Sequence, residues 1–161
     1  MSSFLDSLVG LRYRYPDHYV VGREKIREYA VAVKNEDASF QDEEAAAELG
    51  YDALLAPLTF ISVFGYTAQL AMFHHNNIAI TDAKIVQVDQ ELRFLMPVKA
   101  GDRLYCDVEV TSVRQSFGAD IIVTKNVVSN DKGEVVQEAY TTLAGRTADD
   151  GKEGGFSDGT A

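Results

Sequence analysis

Few side chains in this sequence of 161 residues have the chemistry of a catalyst. The adjacent His74 and His75 could suggest a metal site or a base, but neighbouring helical positions point in different directions and no third ligand stands at a useful spacing. We interpret both as structural residues near a helix end, where the dipole favours them. Asp42 is better explained as a helix cap, and Asp37 as a loop residue. No metal or cofactor is predicted.

Composition narrows the classes of function. Cys106 is the only cysteine, which excludes an intrachain disulfide and a multi-thiolate metal site and fits a reducing cytoplasm. The net charge of −10 argues against nucleic-acid binding, because phosphates need a basic surface. We see no secretory signal, and Pro57 and several polar residues interrupt the apolar stretch 54–73, so we expect a cytoplasmic protein without a membrane span.

The first half of the chain has the spacing of helices. Apolar residues recur at helical intervals over 23–33, and Asp42 and Gly50 delimit a short helix over 43–49. The longest predicted helix, 58–75, is apolar almost all round. A helix with so little polar surface is a buried one.

The second half has the alternation of strands. From residue 85 polar and apolar residues alternate, and the run NDKG at 130–133 predicts a hairpin turn. A buried helix followed by long antiparallel strands predicts an α+β fold, with the sheet wrapped around the helix, over residues 1–146. Residues 147–161 are acidic and rich in glycine, and we expect them to be a disordered tail.

Residues 94–104 carry a family resemblance. Their sequence, FLMPVKAGDRL, is similar to the F-x-x-P-V-x-x-G-D-x-L signature of the MaoC-like hotdog dehydratases and hydratases. Pro97 ends a strand edge, Gly101 permits the turn, and Asp102 can accept hydrogen bonds from turn amides. The resemblance implies a hotdog fold, but this signature occurs with several activities and does not identify the chemistry.

A second resemblance lies upstream, over residues 29–56. Enzymes of this family carry Y-A-x-x-S-G-D-x-N-P-x-H followed by a short helix, a glycine and an A-H-G segment. Aligned without a gap, the catalytic aspartate position holds Asn35 and the catalytic histidine position holds Phe40. Neither residue can act as an acid or a base, and Pro57-Leu58 replaces the family's His-Gly pair. The resemblance therefore implies that this chain has no catalytic residues of its own.

Other stretches resemble one kind of subunit in the family, the substrate-stabilising subunit of mycobacterial (3R)-hydroxyacyl-ACP dehydratases. They are YRYPD at 13–17, APLTF at 56–60, IVQVDQ at 85–90 and YTTLAGR at 140–146. The resemblance implies a heterodimer with a catalytic MaoC-like hotdog subunit, which supplies the Asp/His pair. It implies an acyl carrier protein (ACP)-bound substrate, type II fatty-acid synthase and mycolic-acid elongation.

The same resemblance implies where a long acyl chain would bind. The candidate substrate-binding residues lie at the start of the central helix and on the strand after it: Phe60, Ile61, Ser62, Phe64, Gly65, Tyr66, Gln87 and Gln90. Gly65 is informative, because glycine inside a helix costs about 1 kcal/mol relative to alanine and tends to have a packing reason. From periodicity alone, Gln87 and Gln90 would be read as an ordinary solvent face.

Two other functions stay open at this stage. The chain could be a self-sufficient hotdog hydratase or thioesterase that uses other residues, or a stand-alone acyl-thioester-binding protein.

Overall fold

The structure, a computed structural model, describes residues 3–149 and 152–160. Its helices are α1 (Ser3–Asp6), α2 (Arg23–Ala32), α3 (Glu43–Glu48) and α4 (Ser62–His75), with 3-10 turns at Ala38–Phe40, Leu58–Ile61 and Asp82–Lys84. None of the helices in these two ranges is long and apolar enough to span a membrane.

The strands form one large antiparallel sheet and one small one. They are β1 (Arg12–Arg14), β2 (Tyr19–Val20), β3 (Ile78–Ile80), β4 (Ile85–Phe94), β5 (Arg103–Ser116), β6 (Ala119–Ser129), β7 (Val135–Arg146) and β8 (Phe156–Asp158). The large sheet has the order β1-β5-β6-β7-β4, with β2 also paired to β5, and β3 pairs with β8. The sheet and its central helix confirm the predicted α+β architecture.

The core lies between α4 and the inner face of the sheet. Phe64, Ala68, Met72 and Phe73 of α4 are buried, as are alternate residues of β5 and β6. The predicted helix over 58–75 begins as the 3-10 turn and becomes an α-helix at Ser62. This nearly all-apolar helix is the centre of the core because no face of it suits water.

Local signals in the sequence account for the connections. The Asp42 carboxylate accepts a hydrogen bond from the Glu44 amide and caps α3, as predicted. In the turn before β5, the Asp102 carboxylate accepts a hydrogen bond of 3.0 Å from the Lys99 amide, and Gly101 has φ +89°. This turn anchors the segment before α4, because the Ala56 amide donates to the Val98 carbonyl at 2.8 Å.

β4 is an edge strand. In the described part of the chain it pairs with β7 alone, and nearly all of its residues are exposed. The pairing passes from Gln87–Leu143 to Asp89–Thr142, so Val88 is an extra residue at a β-bulge. Val86 and Val88 are 61% and 55% exposed. The edge therefore presents apolar side chains next to backbone groups without a partner strand.

The expectation of a disordered tail differs from the structure. Residues 156–158 form β8, and Phe156 is buried in the core with its ring centroid 6.2 Å from that of Phe73. A Cβ atom on Gly145 would lie 2.6 Å from the Phe156 ring, so glycine is needed there. The overall composition of the tail did not indicate that one aromatic residue, Phe156, would pack into the core. Residues 150, 151 and 161 of the predicted tail lie outside the described residues.

Candidate functional site

A cavity of about 280 Å³ lies between the start of α4 and the inner faces of β4, β6 and β7. We call it the amide-lined cavity, because four glutamines and one asparagine contribute to its wall. Its lining residues are Ile61, Ser62, Gly65, Tyr66, Gln69, Gln87, Gln90, Asn126, Val128, Gln137, Ala139 and Thr141. Gln87 and Gln90 are exposed residues of the edge strand, so the cavity lies beside that edge.

Hydrogen bonds hold part of this wall in place. The Asn126 amide donates to the Gly65 carbonyl at 3.0 Å, which links β6 to the central helix. The Gln69 amide donates to the Thr124 hydroxyl at 2.8 Å, and the Gln90 amide donates to the Thr141 hydroxyl at 3.3 Å. These contacts orient the side chains that surround the cavity.

Other polar atoms of the wall have no partner. Among the described residues, Asn126 Oδ1 and both amide atoms of Gln137 are buried without a hydrogen bond. Gln137 is 1% exposed and Asn126 is 4% exposed. Buried polar groups are almost always hydrogen-bonded, and a buried group without a hydrogen bond costs about 1–3 kcal/mol of stability. The cavity thus offers one donor group and two acceptors to a ligand or to water.

A second cavity, of about 370 Å³, adjoins the first and is mostly apolar. We call it the apolar groove. It is lined by Phe40, Tyr51, Leu55, Ala56, Pro57, Leu58, Ile61, Phe94, Leu95, Met96, Pro97, Val98, Val136 and Gln137. Ile61 and Gln137 belong to both walls. A ligand that extends from one cavity into the other must pass these two residues.

The two positions aligned with the family's acid and base lie in different surroundings. Phe40 is half-buried and forms part of the apolar groove, whereas Asn35 is an exposed residue in the loop after α2. Asp37 is exposed in the same loop. The hydroxyl and backbone amide of Ser39 donate to its carboxylate at 2.6 and 2.9 Å, which holds its pKa below the ordinary value. The Asp37 carboxylate therefore stabilises the turn, and its lowered pKa makes it a poorer base than an ordinary aspartate.

The structure brings six of the eight candidate binding residues together. Ile61, Ser62, Gly65, Tyr66, Gln87 and Gln90 line the amide-lined cavity. Phe60 and Phe64 do not line either cavity, and their contact with substrate stays a prediction. Phe64 packs against Tyr15 and Tyr19, and Phe60 packs against Tyr19 and Tyr29, so both phenylalanines are core residues.

Four buried polar residues of the amide-lined cavity were not predicted from the sequence: Gln69, Asn126, Gln137 and Thr141. A signal for one of them existed. β6 buries every second residue, and the alternation places Asn126 on the same face as Ile122 and Val128. Gln137 had no such signal, because Val136 and Gln137 are both buried at a break in the register between β6 and β7.

The site has no charged lining. Among the residues that the structure describes, the walls of both cavities contain no Asp, Glu, His, Cys, Lys or Arg. Nowhere among the described residues do three or more His, Cys, Asp or Glu side chains form a group that could hold a metal ion. His74 and His75 are exposed at the end of α4, and the His75 ring lies 5.0 Å from that of Tyr13. The cavities can therefore bind and orient a ligand. Their described walls include the hydroxyls of Tyr51 and Tyr66 but lack the carboxylate and imidazole of the family's catalytic pair.

Comparisons with known proteins agree with the observed fold. The family described as "FAS1-like, dehydratase domain region" matches residues 7–139. The chain is 52% identical to a chain of the C-terminally truncated HadBC (3R)-hydroxyacyl-ACP dehydratase complex of Mycobacterium tuberculosis, with a TM-score of 0.78. The match covers 86% of this chain and 97% of that one. The chain belongs to the MaoC-like hotdog dehydratase family.

Two further members of this family are informative. A UPF0336 protein of Mycobacterium tuberculosis (strain H37Rv) is 66% identical over 154 residues, which are 96% of each chain. A solved MaoC-like dehydratase is 39% identical with a TM-score of 0.81, and the match covers 89% of this chain but 44% of that one. That dehydratase thus has more than twice the length of the hotdog unit seen here.

Proposed function

We propose that this chain is the non-catalytic, substrate-binding subunit of a heterodimeric (3R)-hydroxyacyl-ACP dehydratase of type II fatty-acid synthase. The observation that carries the proposal is the pair of adjoining cavities whose described walls contain no carboxylate, imidazole, thiol or amine. Such cavities suit the binding of an acyl thioester. The partner hotdog subunit supplies the Asp/His pair.

The chemistry explains why a partner is required. Dehydration of a (3R)-hydroxyacyl thioester removes a proton from Cα and expels the β-hydroxyl as water, so it needs a base and an acid. Asn35 has no basic group at physiological pH, and the Phe40 ring has no proton to give. The ring also contributes apolar surface to the groove at this position. We infer that the chain alone is inactive.

Three observations support a hotdog partner. β4 is an edge strand with exposed valines, and exposed edges tend to pair. Exposed apolar residues line the two cavities: Leu58, Tyr66, Phe94, Leu95 and Met96. A related chain occurs in the HadBC complex, and the longer MaoC-like dehydratase joins a similar unit to a comparable length of chain. Contiguous apolar patches of this kind mark association surfaces.

We further propose that the chain is of the HadA type, the substrate-stabilising kind of subunit that the resemblance implies, and that it serves mycolic-acid elongation in the cytoplasm. Its identity to one Mycobacterium tuberculosis relative is 66%, against 52% to the chain of the HadBC complex. That difference supports a subunit type distinct from the one in that complex. The resemblance of the stretches at 13–17 and 140–146 supports the same assignment.

The test is reconstitution. The chain, a candidate catalytic hotdog subunit and their co-purified complex are each assayed for hydration of a trans-2-enoyl thioester. We expect turnover by the complex and none above background by this chain. Substituting the partner's catalytic aspartate should abolish activity of the complex, whereas Asn35→Ala in this chain should leave it unchanged. Turnover by the isolated chain, with the partner absent by mass spectrometry, would contradict the proposal and favour a self-sufficient hydratase.

A further inference from the structure

Gln137 is placed where the two cavities meet. It lies on β7 opposite Val128 of β6 and Phe94 of β4, and its side chain contributes to both walls. Val136 has no partner in the register with β6, so the strand carries an extra residue just before Gln137. A bulge of this kind re-aims the side chains that follow it. Here the re-aimed side chain is a carboxamide.

The Gln137 carboxamide lacks the hydrogen bonds that a buried amide needs. Its nitrogen and its oxygen are both buried without a hydrogen bond among the described residues, and Asn126 Oδ1 is likewise buried without a partner. A leucine of similar size would fill the same space without the penalty of an unpaired amide. A purely hydrocarbon ligand would leave all three atoms unsatisfied. The arrangement therefore suits a ligand that carries both a hydrogen-bond acceptor and a hydroxyl donor.

The wall also selects against charge. Neither cavity has a cationic side chain in its described lining, and the whole chain has a net charge of −10. A buried carboxylate without a partner is strongly disfavoured. A thioester is neutral and loses little on entering such a site. The cavities are thus suited to an esterified acyl group and unsuited to the free fatty acid.

We propose that a neutral 3-hydroxyacyl thioester lies across the two cavities, with Gln137 and Asn126 as its polar contacts. The Gln137 amide donates to the thioester carbonyl, and Asn126 Oδ1 accepts from the β-hydroxyl. The alkyl chain passes Ile61 into the apolar groove towards Phe40. The head then lies beside Gln87 and Gln90 on the edge strand, where the partner would reach it. This inference rests on the proposed function and adds the orientation of the substrate.

One consequence is discrimination between substrate and product. Dehydration removes the hydroxyl, so the enoyl thioester has a carbonyl acceptor but no donor for Asn126 Oδ1. Sites that hydrogen-bond a hydroxyl reject analogues that lack it, because the polar atoms of the site are left unpaired. Saturated acyl thioesters lack the hydroxyl too, so we expect 3-hydroxyacyl thioesters to bind about tenfold more tightly than either the enoyl or the acyl thioester of the same length.

The experiment measures binding, which does not require catalysis. Isothermal titration calorimetry of the full chain uses 3-hydroxydodecanoyl-pantetheine, dodecanoyl-pantetheine and dodecanoate as probes, alone and with a partner whose catalytic aspartate is substituted. The expected order of affinity is hydroxyacyl, then acyl, then free acid. Gln137→Leu should weaken the hydroxyacyl probe by about tenfold. The matched control for binding is Gln115→Leu, because Gln115 is exposed on β5, lines neither cavity and donates to Asp120, which lies outside both walls.

Two readouts separate a binding role from a structural one. An unpaired amide destabilises the free protein, so Gln137→Leu should raise the melting temperature while it weakens binding. In the wild-type chain, the Gln137 side-chain NH₂ signal, assigned by its loss in the variant, should shift when the hydroxyacyl probe is added. This second readout does not depend on how the variant folds.

The outcomes are distinguishable. Tight binding of the hydroxyacyl probe with no shift of the Gln137 signal, or with an unchanged affinity in Gln137→Leu, overturns the orientation and leaves the proposed function standing. Equal affinity for dodecanoate overturns the selection for neutral thioesters. If no probe binds the wild-type chain with or without the partner, both the orientation and the proposed function are wrong.

Discussion

Asn126 on β6 donates its amide hydrogen to the backbone carbonyl of Gly65 in the central helix, with 3.0 Å between nitrogen and oxygen. A Cβ atom on residue 65 would lie 3.1 Å from that same nitrogen. Any side chain at position 65 would therefore require Asn126 to move, by a few tenths of an ångström for a methyl group and by more for a larger side chain. The contact between Asn126 and Gly65 also sets one wall of the amide-lined cavity, because both residues contribute to it.

The first prediction follows from this contact. Gly65→Val should destabilise the protein by about 1–3 kcal/mol, because the added side chain displaces a buried amide. Ala71→Val, at a half-buried position of the same helix, is the control for a β-branched residue in α4. In an Asn126→Ala background the penalty for Gly65→Val should shrink, as chemical denaturation of the four proteins would measure. A fully additive double mutant would contradict the role of Asn126.

A second prediction concerns acyl length. Ala56 lines the apolar groove and Ala139 lines the amide-lined cavity, so Ala→Phe at each position fills a different cavity. In the reconstituted complex, Ala56→Phe should lower kcat/KM about tenfold for a long enoyl thioester, with a smaller loss for a short one. Ala139→Phe should impair both lengths alike. Assembly is verified first by size-exclusion chromatography, and the same length dependence in both variants would argue against the proposed orientation.

Association gives a third prediction. Val88→Lys places a charge on the exposed edge strand, so it should weaken binding to the hotdog partner by at least about tenfold. The isolated chain should change in stability by no more than about 0.5 kcal/mol, because Val88 is a surface residue. Val31→Lys is the matched control, since Val31 is 70% exposed on α2 and lies outside the edge. Light scattering of the mixtures tests this, and equal binding by both variants would exclude β4 from the interface.

A fourth prediction concerns the segment after β7. Phe156→Ala removes a side chain that is 4% exposed and in contact with Phe73, and it should cost about 3 kcal/mol. Phe117→Ala should have no measurable effect, because that ring at the tip of the β5–β6 hairpin is fully exposed. Thermal and urea unfolding compare the two variants. A loss below about 0.5 kcal/mol for Phe156→Ala would mean that β8 adds little to the core.

The fifth prediction is a dependence on pH. Burial, reinforced by the charge of Asp107, raises the pKa of the Cys106 thiol to about 12. The unfolded chain has a thiol pKa of about 8.5, so the folded state binds more protons above that pH. The contribution of this thiol to stability is present below about pH 8.5 and is lost as the pH rises towards 12.

Unfolding at pH 7 and pH 10 tests the effect of Cys106. The wild-type protein should lose more stability over this interval than Cys106→Ala does, and the folded thiol should resist iodoacetamide at pH 8. Rapid alkylation of the native protein at that pH, or parallel stability curves for the two proteins, would contradict the assignment.

The fold was predictable because its signals are local and mutually consistent. Three local patterns each predict one element: a buried helix from the apolar surface of 58–75, strands from the alternation after residue 85, and a hairpin from the turn at 130–133. Together they define a sheet around a helix. The sequence could not show that Phe156 would find a place over Gly145. A tail with low hydrophobicity is ordinarily disordered, and one long-range contact reverses that expectation.

The candidate site was predictable only in part. Ser62, Gly65 and Tyr66 follow from their position at the start of the central helix. Phe60 and Phe64 share that position, but the aromatic cluster with Tyr15, Tyr19 and Tyr29 draws them into the core. Gln137 could not be predicted from the sequence, because its side chain points inward as the result of a change in strand register. Such a change depends on the pairing of two strands and not on the residue itself.

The β-bulge at Val88 has a consequence for the fidelity of assembly. A ten-residue edge with exposed valines would, if flat, accept almost any extended chain and favour aggregation. The extra residue interrupts the regular spacing of hydrogen-bonding groups near the middle of the edge. A strand that adds to β4 over its whole length must accommodate that interruption at the same point. The irregularity therefore protects the edge from indiscriminate pairing while leaving it open to a strand of matching shape.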